Sequence, residues 1–287
     1  MLTLLEKEFK GYFQSPIGYV FLTFFLFMFG LYFTMYNVFS QNGDFSYVLG
    51  SLTTVMVFAL PALTMRLLSE ERKNKTDQLL ITAPIKVSQL VIGKFLSAAT
   101  LYTLMLAITL IYPFILKALG PIPIARIVTA YIGFYLLGLT LIAVGLFLSS
   151  ICENQVIAAI GTIGTYLLFM MIDSIAVMIP KDRTSSMVFV IVLVTLVIGF
   201  IYFELRQGVL TGVLGGTLFA GVVGFLALKP ELLDGLPTKI LQWFSVFTRY
   251  DDFSRGLLNM SSVVYYVSFM SVFILLTIKN IEKRSWR

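Results

Sequence analysis

Long runs of apolar residues limit the possible folds of this chain more than any other feature of its sequence. Between the charged segments, these runs occupy residues 17–39, 45–65, 95–116, 127–152, 154–179, 184–203, 207–228 and 256–278. A helix needs about 20 apolar residues to cross the hydrocarbon core of a bilayer. Each run is long enough for one crossing. The sequence therefore predicts an all-α integral membrane protein, a polytopic helical bundle of about eight transmembrane helices.

The composition supports this class and excludes several functions. Only 13% of the 287 residues are charged and the mean hydropathy is +0.92, whereas a soluble domain carries roughly 25% charged residues. The chain has no histidine and a single cysteine, Cys152. These counts exclude an internal disulfide, a CxxC metal or redox site and His-dependent chemistry, so no metal site is predicted.

The distribution of basic residues predicts the orientation of the chain. With the N-terminus inside, 13 of the 21 Lys and Arg residues fall on the cytoplasmic side and 8 on the outer side. Basic residues favour cytoplasmic loops, which explains the net charge of +6 without a nucleic-acid partner. We expect a multi-pass protein of the cytoplasmic membrane with both termini in the cytoplasm and no cleaved signal peptide.

Residues 1–15 have the pattern of an amphipathic helix that lies in the membrane interface. Apolar side chains such as Leu5 and Phe9 share one face, and Glu6 and Lys10 lie on others. The pair Ser15-Pro16 then predicts the start of the first spanning helix, because serine is a good N-cap and proline suits the first helical position.

Residues 66–94 form the most charged segment and lie between the second and third apolar runs. Thr76 or Asp77 can cap a short helix that carries Leu79 and Leu80. Pro84 ends this helix, because the residue before a proline is pushed away from helical angles. Ser88 is predicted to cap the helix that follows. The segment is thus a structured element whose leucines must meet the membrane edge or a partner.

Three other segments connect or flank the predicted spans. Residues 120–123, Gly-Pro-Ile-Pro, predict an outer turn, and residues 149–155 predict a tight inner turn. Within residues 229–255, aromatic and apolar side chains recur at helical spacing and predict an amphipathic helix on the outer surface, which serves either as an outer gate or as an anchor. The side chains are Ile240, Trp243, Phe244, Phe247 and Tyr250.

The sequence contains no nucleotide-binding motif. It does contain one acidic residue within an apolar run. The pair Gly93-Lys94 lacks the earlier glycine of a phosphate-binding loop, so the chain is not expected to be an enzyme or to hold a cofactor. Asp173 interrupts the fifth run. An ionisable residue inside a span is a functional candidate. It lies on a substrate path, reaches outer water near the end of its helix, or accepts hydrogen bonds from Ser174 or a neighbour.

The charged segment resembles the corresponding loop of the type-2 (ABC-2) permeases of ABC transporters. The resemblance is carried by Glu70-Glu71-Arg72, Thr76-Asp77, Leu79-Leu80, Pro84 and Gly93-Lys94, with Lys75 where that family usually has glycine. Further motifs are similar to the branch related to gliding-motility permeases, namely Lys7-Glu8, residues 15–19, residues 61–66, Ser149-Ser150, Asn154-Gln155 and residues 253–256. That family has a core of six spans, so residues 184–228 are interpreted as an extra helix pair or, alternatively, as a re-entrant hairpin.

The resemblance implies a permease subunit, expected to be an exporter, whose energy comes from another chain. It implies two copies of a separate ABC ATPase, which hold the ATP and Mg²⁺, and a second permease chain in a homodimer or a related heterodimer. Residues 1–15 would be the elbow helix and residues 66–94 the coupling loop. The residues implied in ATPase coupling are Glu70, Glu71, Arg72, Thr76, Asp77, Leu79, Leu80, Pro84, Glu153 and Asn154.

Two other functions remain open from the sequence. A self-contained secondary transporter would need ion-binding residues near the midplane or an internal repeat, and neither is evident. A membrane anchor for an ATPase, in which the bundle transmits force without transport, would use the same charged segment. The apolar walls of the predicted spans do not identify a substrate.

Overall fold

The computed structural model describes residues 2–73, 86–178 and 236–285, together with Val192 and Thr195. Over these residues the structure is helical and contains no strand. Six of the described helices are long and apolar enough to cross a membrane. They are Pro16–Phe39, Ser46–Lys73, Val87–Leu119, Ile124–Ile151, Gln155–Ile172 and Met260–Lys283. Apart from Val192 and Thr195, the predicted sixth and seventh runs lie outside the described residues, so the count of eight stays a prediction.

The helices are numbered in chain order. They are α1 Leu2–Gln14, α2 Pro16–Phe33, α3 Ser46–Thr64, α4 Ser69–Lys73, α5 Val87–Thr109, α6 Ile111–Leu119, α7 Ile124–Ile151, α8 Gln155–Met178, α9 Leu236–Trp243, α10 Thr248–Ser254 and α11 Met260–Ser285. A π-helical segment, Thr34–Phe39, continues α2. The chain divides into two compact units, Met1–Leu168 with Val246–Arg287, and Phe169–Ser245.

Helix α7 is the centre of the larger unit, where it packs against α3, α5, α10 and α11. Three glycines of α7 explain how the neighbouring elements approach so closely. A Cβ at Gly133, Gly138 or Gly145 would overlap Phe253, Tyr102 or Thr64, respectively. Small residues at such positions let membrane helices pack by direct van der Waals contact. The three glycines of α7 thus allow this helix to pack closely against its neighbours.

The smaller unit contains the end of α8 and all of α9. Here the Thr238 hydroxyl donates a hydrogen bond to the Ala176 carbonyl at 3.4 Å. Asp173 lies in α8, but its side chain is outside the described part of the chain. Its interpretation as a substrate contact therefore stays a prediction.

Several local expectations can be compared with the helix boundaries. Ser15 is the N-cap of α2, with extended backbone angles, and Pro16 is its first residue, which confirms the predicted start. The turn at residues 120–123 is also confirmed, because α6 ends at Leu119 and α7 begins at Ile124. The turn after α7 is shorter than the predicted residues 149–155, because α7 continues to Ile151 and α8 begins at Gln155.

Two predictions of helix limits are wrong. Ser88 does not cap α5, because the helix begins at Val87 with Lys86 at the N-cap position. The single amphipathic helix predicted over residues 240–250 is instead two helices, since α9 ends at Trp243 and α10 begins at Thr248. The backbone N–H groups of Phe244 and Ser245 bond three residues back, to Leu241 and Gln242. These tight turns end the first helix while leaving the aromatic spacing unchanged.

Candidate functional site

One end of the larger unit carries a network of charged side chains contributed by several helices. We call it the ionic end and define it by Glu8, Arg66, Glu70, Glu71, Arg72, Lys94 and Glu153. These residues come from α1, the connection after α3, α4, α5 and the turn after α7. Each of their ion pairs is described below, because together they determine what the region can do.

Lys94 is the buried centre of the ionic end. Its side chain is only 2% exposed, and its ammonium lies 2.7 Å from Glu71 Oε1 and 3.2 Å from Glu8 Oε1. The two carboxylates belong to α4 and α1, so one cation joins three helices. A buried charge is tolerated when it is paired, because the loss of hydration is otherwise uncompensated. The position of Lys94 therefore depends on both acids.

Arg66 fixes the connection between α3 and α4. Its Nε and Nη2 atoms contact the two oxygens of Glu70 at 2.6 and 2.9 Å, a bidentate ion pair four residues apart. Its Nη1 donates to Ser15 Oγ at 3.0 Å. The guanidinium thus connects the end of α3 to the residue that begins α2.

Ser149, in the last turn of α7, and Arg72 connect the end of α7 and the turn after it to the same region. Ser149 Oγ accepts hydrogen bonds from the backbone N–H groups of Leu68 and Ser69, both at 3.1 Å, and donates to the Met65 carbonyl at 3.1 Å. It thereby satisfies backbone groups at a helix end. Arg72 pairs with Glu153 at 2.9 Å and also donates to the Ile151 carbonyl.

Two asparagines at this end have structural roles. Asn154 Oδ1 accepts the backbone N–H of Val156 at 2.9 Å, which is the geometry of a cap at the start of α8. Asn280, in α11, donates to the carbonyl and the hydroxyl of Ser150 at 3.2 and 2.9 Å. The network therefore extends from the N-terminal helix to the C-terminal one.

Tyr12 lies in α1, close to the charged groups. Burial raises the pKa of its hydroxyl well above the usual value, and the nearby Glu8 carboxylate raises it further. Tyr12 is therefore neutral at any physiological pH and adds no charge to the ionic end.

The structure brings together only some of the residues expected to couple the chain to an ATPase. Glu70, Glu71, Arg72 and Glu153 lie in the ionic end, and Asn154 adjoins it. The rest of that set lies outside the described residues, namely Thr76, Asp77, Leu79, Leu80 and Pro84. Sequence reasoning missed Lys94 and Glu8 as members of this site. The available signal was a lysine surrounded by apolar residues, which requires a partner.

The opposite end of α7 has a simpler set of polar contacts, which we call the Arg126 end. Arg126 Nη1 contacts Asp44 Oδ2 at 2.8 Å, and its Nε donates to the Ser254 carbonyl at 2.8 Å. The Arg126 guanidinium also lies over the Tyr47 ring, 5.0 Å from its centroid. A helix of 28 residues is about 42 Å long, so the two ends are separated by the length of a membrane span. Among the described residues, no group of three candidate ligands for a metal was found.

These features define the class of protein: a multi-pass helical membrane protein whose helices are joined at one end by ion pairs. The family model for the ABC-2 family transporter protein matches residues 2–189. The chain belongs to this family and is a permease of the ABC transporter type. A comparison with curated proteins finds no match.

Proposed function

We propose that this chain is the membrane subunit of an ABC exporter of the cytoplasmic membrane, related to the gliding-motility branch, with both termini in the cytoplasm. Two separate ABC ATPase subunits bind ATP and Mg²⁺ and supply the energy, and a second permease chain, identical or related, completes the pathway. The observation that carries this proposal is the pairing of Lys94 with Glu8 and Glu71, which joins the N-terminal helix to the charged segment.

The proposal divides chemistry and movement between chains. The sequence offers no phosphate-binding loop, so this chain is not an enzyme and holds no cofactor of its own. The partner ATPase hydrolyses ATP, and this chain converts the closure of the ATPase dimer into a movement of its helices. Residues 76–84, with Leu79 and Leu80 as the apolar contact, form the coupling helix that docks on the ATPase.

Force that enters at the coupling helix reaches several spans through the ionic end. The coupling segment follows α4, which is held to α3 by Arg66–Glu70 and to α5 by Glu71–Lys94. Lys94 also contacts Glu8 of α1, which serves as the elbow helix. Displacement of α4 is thereby distributed to the first three spans instead of being absorbed by one loop.

A second, smaller contact with the ATPase lies at the turn after α7. The Glu153 side chain is 77% exposed although it pairs with Arg72, so its carboxylate remains accessible to a partner chain. Asn154 supports this turn by capping α8. The two contacts are connected through Arg72, which follows Glu71 in α4.

The remaining assignments complete the architecture. Residues 184–228 form two further spans, which gives eight in total. Residues 229–255 lie on the outer side, where Trp243 and Phe244 contact the membrane interface. Asp173 contacts substrate near the outer end of α8.

The decisive experiment tests coupling with a matched pair of double variants. The chain is co-expressed with an ABC ATPase from the same genome, and the complex is purified. Leu79→Asp with Leu80→Asp should leave membrane insertion intact but abolish complex formation or its ATP hydrolysis. The control is Leu257→Asp with Leu258→Asp, a leucine pair whose two side chains are exposed, located on the proposed outer side. This control variant should retain both complex formation and ATP hydrolysis.

The outcomes also separate the competing functions. Equal loss or equal retention of both ATPase binding and ATP hydrolysis in the two double variants would reject residues 76–84 as the coupling helix. A chain that never associates with an ATPase would favour a secondary transporter. A complex that hydrolyses ATP but supports no ATP-dependent flux in proteoliposomes would favour a force-transmitting anchor.

A further inference from the structure

We propose that Ser149 is a positioning residue for transport: its hydroxyl fixes the angle between α3 and α4, so that a displacement of α4 also moves α3 and α7. We call residues 65–68, which connect the two helices, the α3–α4 joint. Ser149 lies in the last turn of α7, and its side chain is completely buried. This role rests on the proposed function, in which α4 leads to the coupling helix.

The backbone of the α3–α4 joint is bonded to another helix. In a regular α-helix, the N–H groups of Leu68 and Ser69 would each donate to the carbonyl four residues back. Here both N–H groups donate to Ser149 Oγ at 3.1 Å. The Ser149 hydroxyl in turn donates to the Met65 carbonyl at 3.1 Å. One side chain of α7 therefore takes over hydrogen bonds at the place where α3 passes into α4.

The Ser149 hydroxyl uses its full hydrogen-bonding capacity at this joint. A hydroxyl has one hydrogen to donate and two lone pairs that accept, and all three are engaged by backbone groups. A buried backbone group that loses its partner costs free energy. Since Ser149 is buried, water does not replace these bonds when the joint bends. The joint is therefore stiff as long as Ser149 stays in place.

A second contact brings the same face of α7 against α3. Gly145 lies four residues before Ser149, and residues at this spacing share one face of a helix. A Cβ at Gly145 would overlap Thr64, the last residue of α3. Helix α7 thus contacts the end of α3 through Gly145 and the start of α4 through Ser149. A movement of α4 is passed to both helices by these contacts.

The ion pairs of α4 cannot fix this angle by themselves. Arg66 contacts Glu70, and Arg72 contacts Glu153, through long side chains. Such side chains have many rotamers, so they can follow a helix that tilts. Ser149 has a short side chain that is bonded directly to the backbone of the joint. The ion pairs therefore hold α4 near its neighbours, and Ser149 determines its direction.

The first experiment measures amide hydrogen exchange in the purified full-length chain in phosphatidylcholine nanodiscs, without an ATPase. The amides of Leu68 and Ser69 should exchange slowly in the unsubstituted chain. Ser149→Ala should accelerate their exchange about tenfold, the effect of one lost hydrogen bond. Ser149→Thr keeps the hydroxyl and should preserve slow exchange. Ser149→Val has the shape of threonine without the hydroxyl and should exchange fast.

Ser97→Ala is the matched control for these variants. Ser97 is also completely buried, but its hydroxyl donates within its own helix, to the Lys94 carbonyl at 2.7 Å. Exchange at residues 68 and 69 should be unchanged in this variant. Fast exchange of both amides in the unsubstituted chain, or equal exchange in Ser149→Thr and Ser149→Val, would overturn the proposal even if Ser149→Ala does not fold.

The second experiment measures the distance across the α3–α4 joint in the complex with the ABC ATPase. Spin labels are attached at Thr54→Cys in α3 and Lys73→Cys in α4, two exposed positions, in a chain that carries Cys152→Ser. With Ser149 present, the distance from double electron–electron resonance should be the same without nucleotide and after trapping with ATP and vanadate. In Ser149→Ala, trapping should shift the distance, because the joint then bends.

The outcomes separate this role from the proposed function. An equal shift with and without the Ser149 hydroxyl, or no shift in either chain, would overturn the role of Ser149 in transmission. A chain that binds no ATPase would reject the proposed function and, with it, transmission through the joint. The exchange data test the stiffness of the joint independently of any ATPase.

Discussion

The ionic end and the Arg126 end lie at opposite termini of α7 and differ in how their helices are joined. Among the described residues, the ionic end has four ion pairs that join elements, Arg66–Glu70, Lys94–Glu8, Lys94–Glu71 and Arg72–Glu153, while the Arg126 end has one, Asp44–Arg126. Close packing occurs at both ends. Charge, and not packing, is therefore what distinguishes the end proposed to receive force.

The largest expected effect is at Lys94. Lys94→Met removes the cation that pairs with two partly buried acids, and breaking a buried pair costs about 3–5 kcal/mol. The free energy of unfolding in mixed micelles should fall by this amount. Adding Glu71→Gln to Lys94→Met should recover part of the loss, because the Glu8 carboxylate then no longer repels a second carboxylate at position 71.

Lys10→Met is the matched control for this prediction. Lys10 pairs with Glu6, but both side chains are about two-thirds exposed (65% and 64%), and such pairs contribute little to stability. The free energy of unfolding of the Lys10→Met variant should be indistinguishable from that of the unsubstituted chain. If Lys94→Met behaves in the same way, the ionic end is not held together by its charges.

The next effect concerns the Arg126 end. Asp44→Ala removes the ion pair with Arg126 and two hydrogen bonds that Asp44 Oδ1 accepts from Ser46, at 2.9 and 2.6 Å. We expect a loss of about 2 kcal/mol in the free energy of unfolding, which is smaller than that of Lys94→Met. Ser46→Ala, which removes only the hydroxyl bond, should cost about 1 kcal/mol. An Asp44 effect larger than the Lys94 effect would reverse the ranking of the two ends.

Glycine substitutions test whether packing is similar at the two ends. Gly145→Ala and Gly133→Ala would force a methyl group onto Thr64 and Phe253, respectively, and overpacking costs about 1–3 kcal/mol. The two losses of unfolding free energy should be similar. Gly164→Ala, where no heavy atom lies within 4 Å of the added Cβ, should cause no loss. A large difference between the first two would show that packing also separates the ends.

The smallest effect on stability is expected at the rim of the ionic end. Glu153→Gln breaks the ion pair with Arg72. Because the Glu153 carboxylate is mostly exposed, the free energy of unfolding should change by less than about 1 kcal/mol. ATP hydrolysis by the complex should nevertheless fall if this turn contacts the ATPase. Unchanged hydrolysis would restrict the proposed coupling to residues 76–84.

Local features of the fold could be predicted from the sequence. The length of the apolar runs predicts the spans, and Ser15-Pro16 predicts the start of α2 because capping depends on neighbouring residues. The four-residue spacing of Arg66 and Glu70 is also visible in the sequence. Ser88 failed as a cap because several neighbouring residues can begin a helix, and α5 begins at Val87. The helical spacing of the aromatic residues also gave a wrong prediction at residues 240–250. A turn that leaves this spacing unchanged cannot be detected from the spacing alone.

The candidate site was less predictable because its contacts join distant residues. Lys94 and Glu8 are 86 positions apart, and Ser149 bonds to Leu68 across 81 positions. Nothing in the local sequence identifies which acid a buried lysine will meet. The sequence shows only that a lysine among apolar residues requires a counter-charge.

The pairing of Lys94 also has a consequence for biosynthesis. Glu8 and Glu71 both precede Lys94 in the chain, so both carboxylates have been synthesised before the lysine leaves the ribosome. At about 5–20 residues per second, the interval between Glu71 and Lys94 lasts on the order of seconds. The third span therefore never has to enter the bilayer with an ammonium that lacks an available counter-charge. The order of residues in the gene provides the acids before the base that requires them.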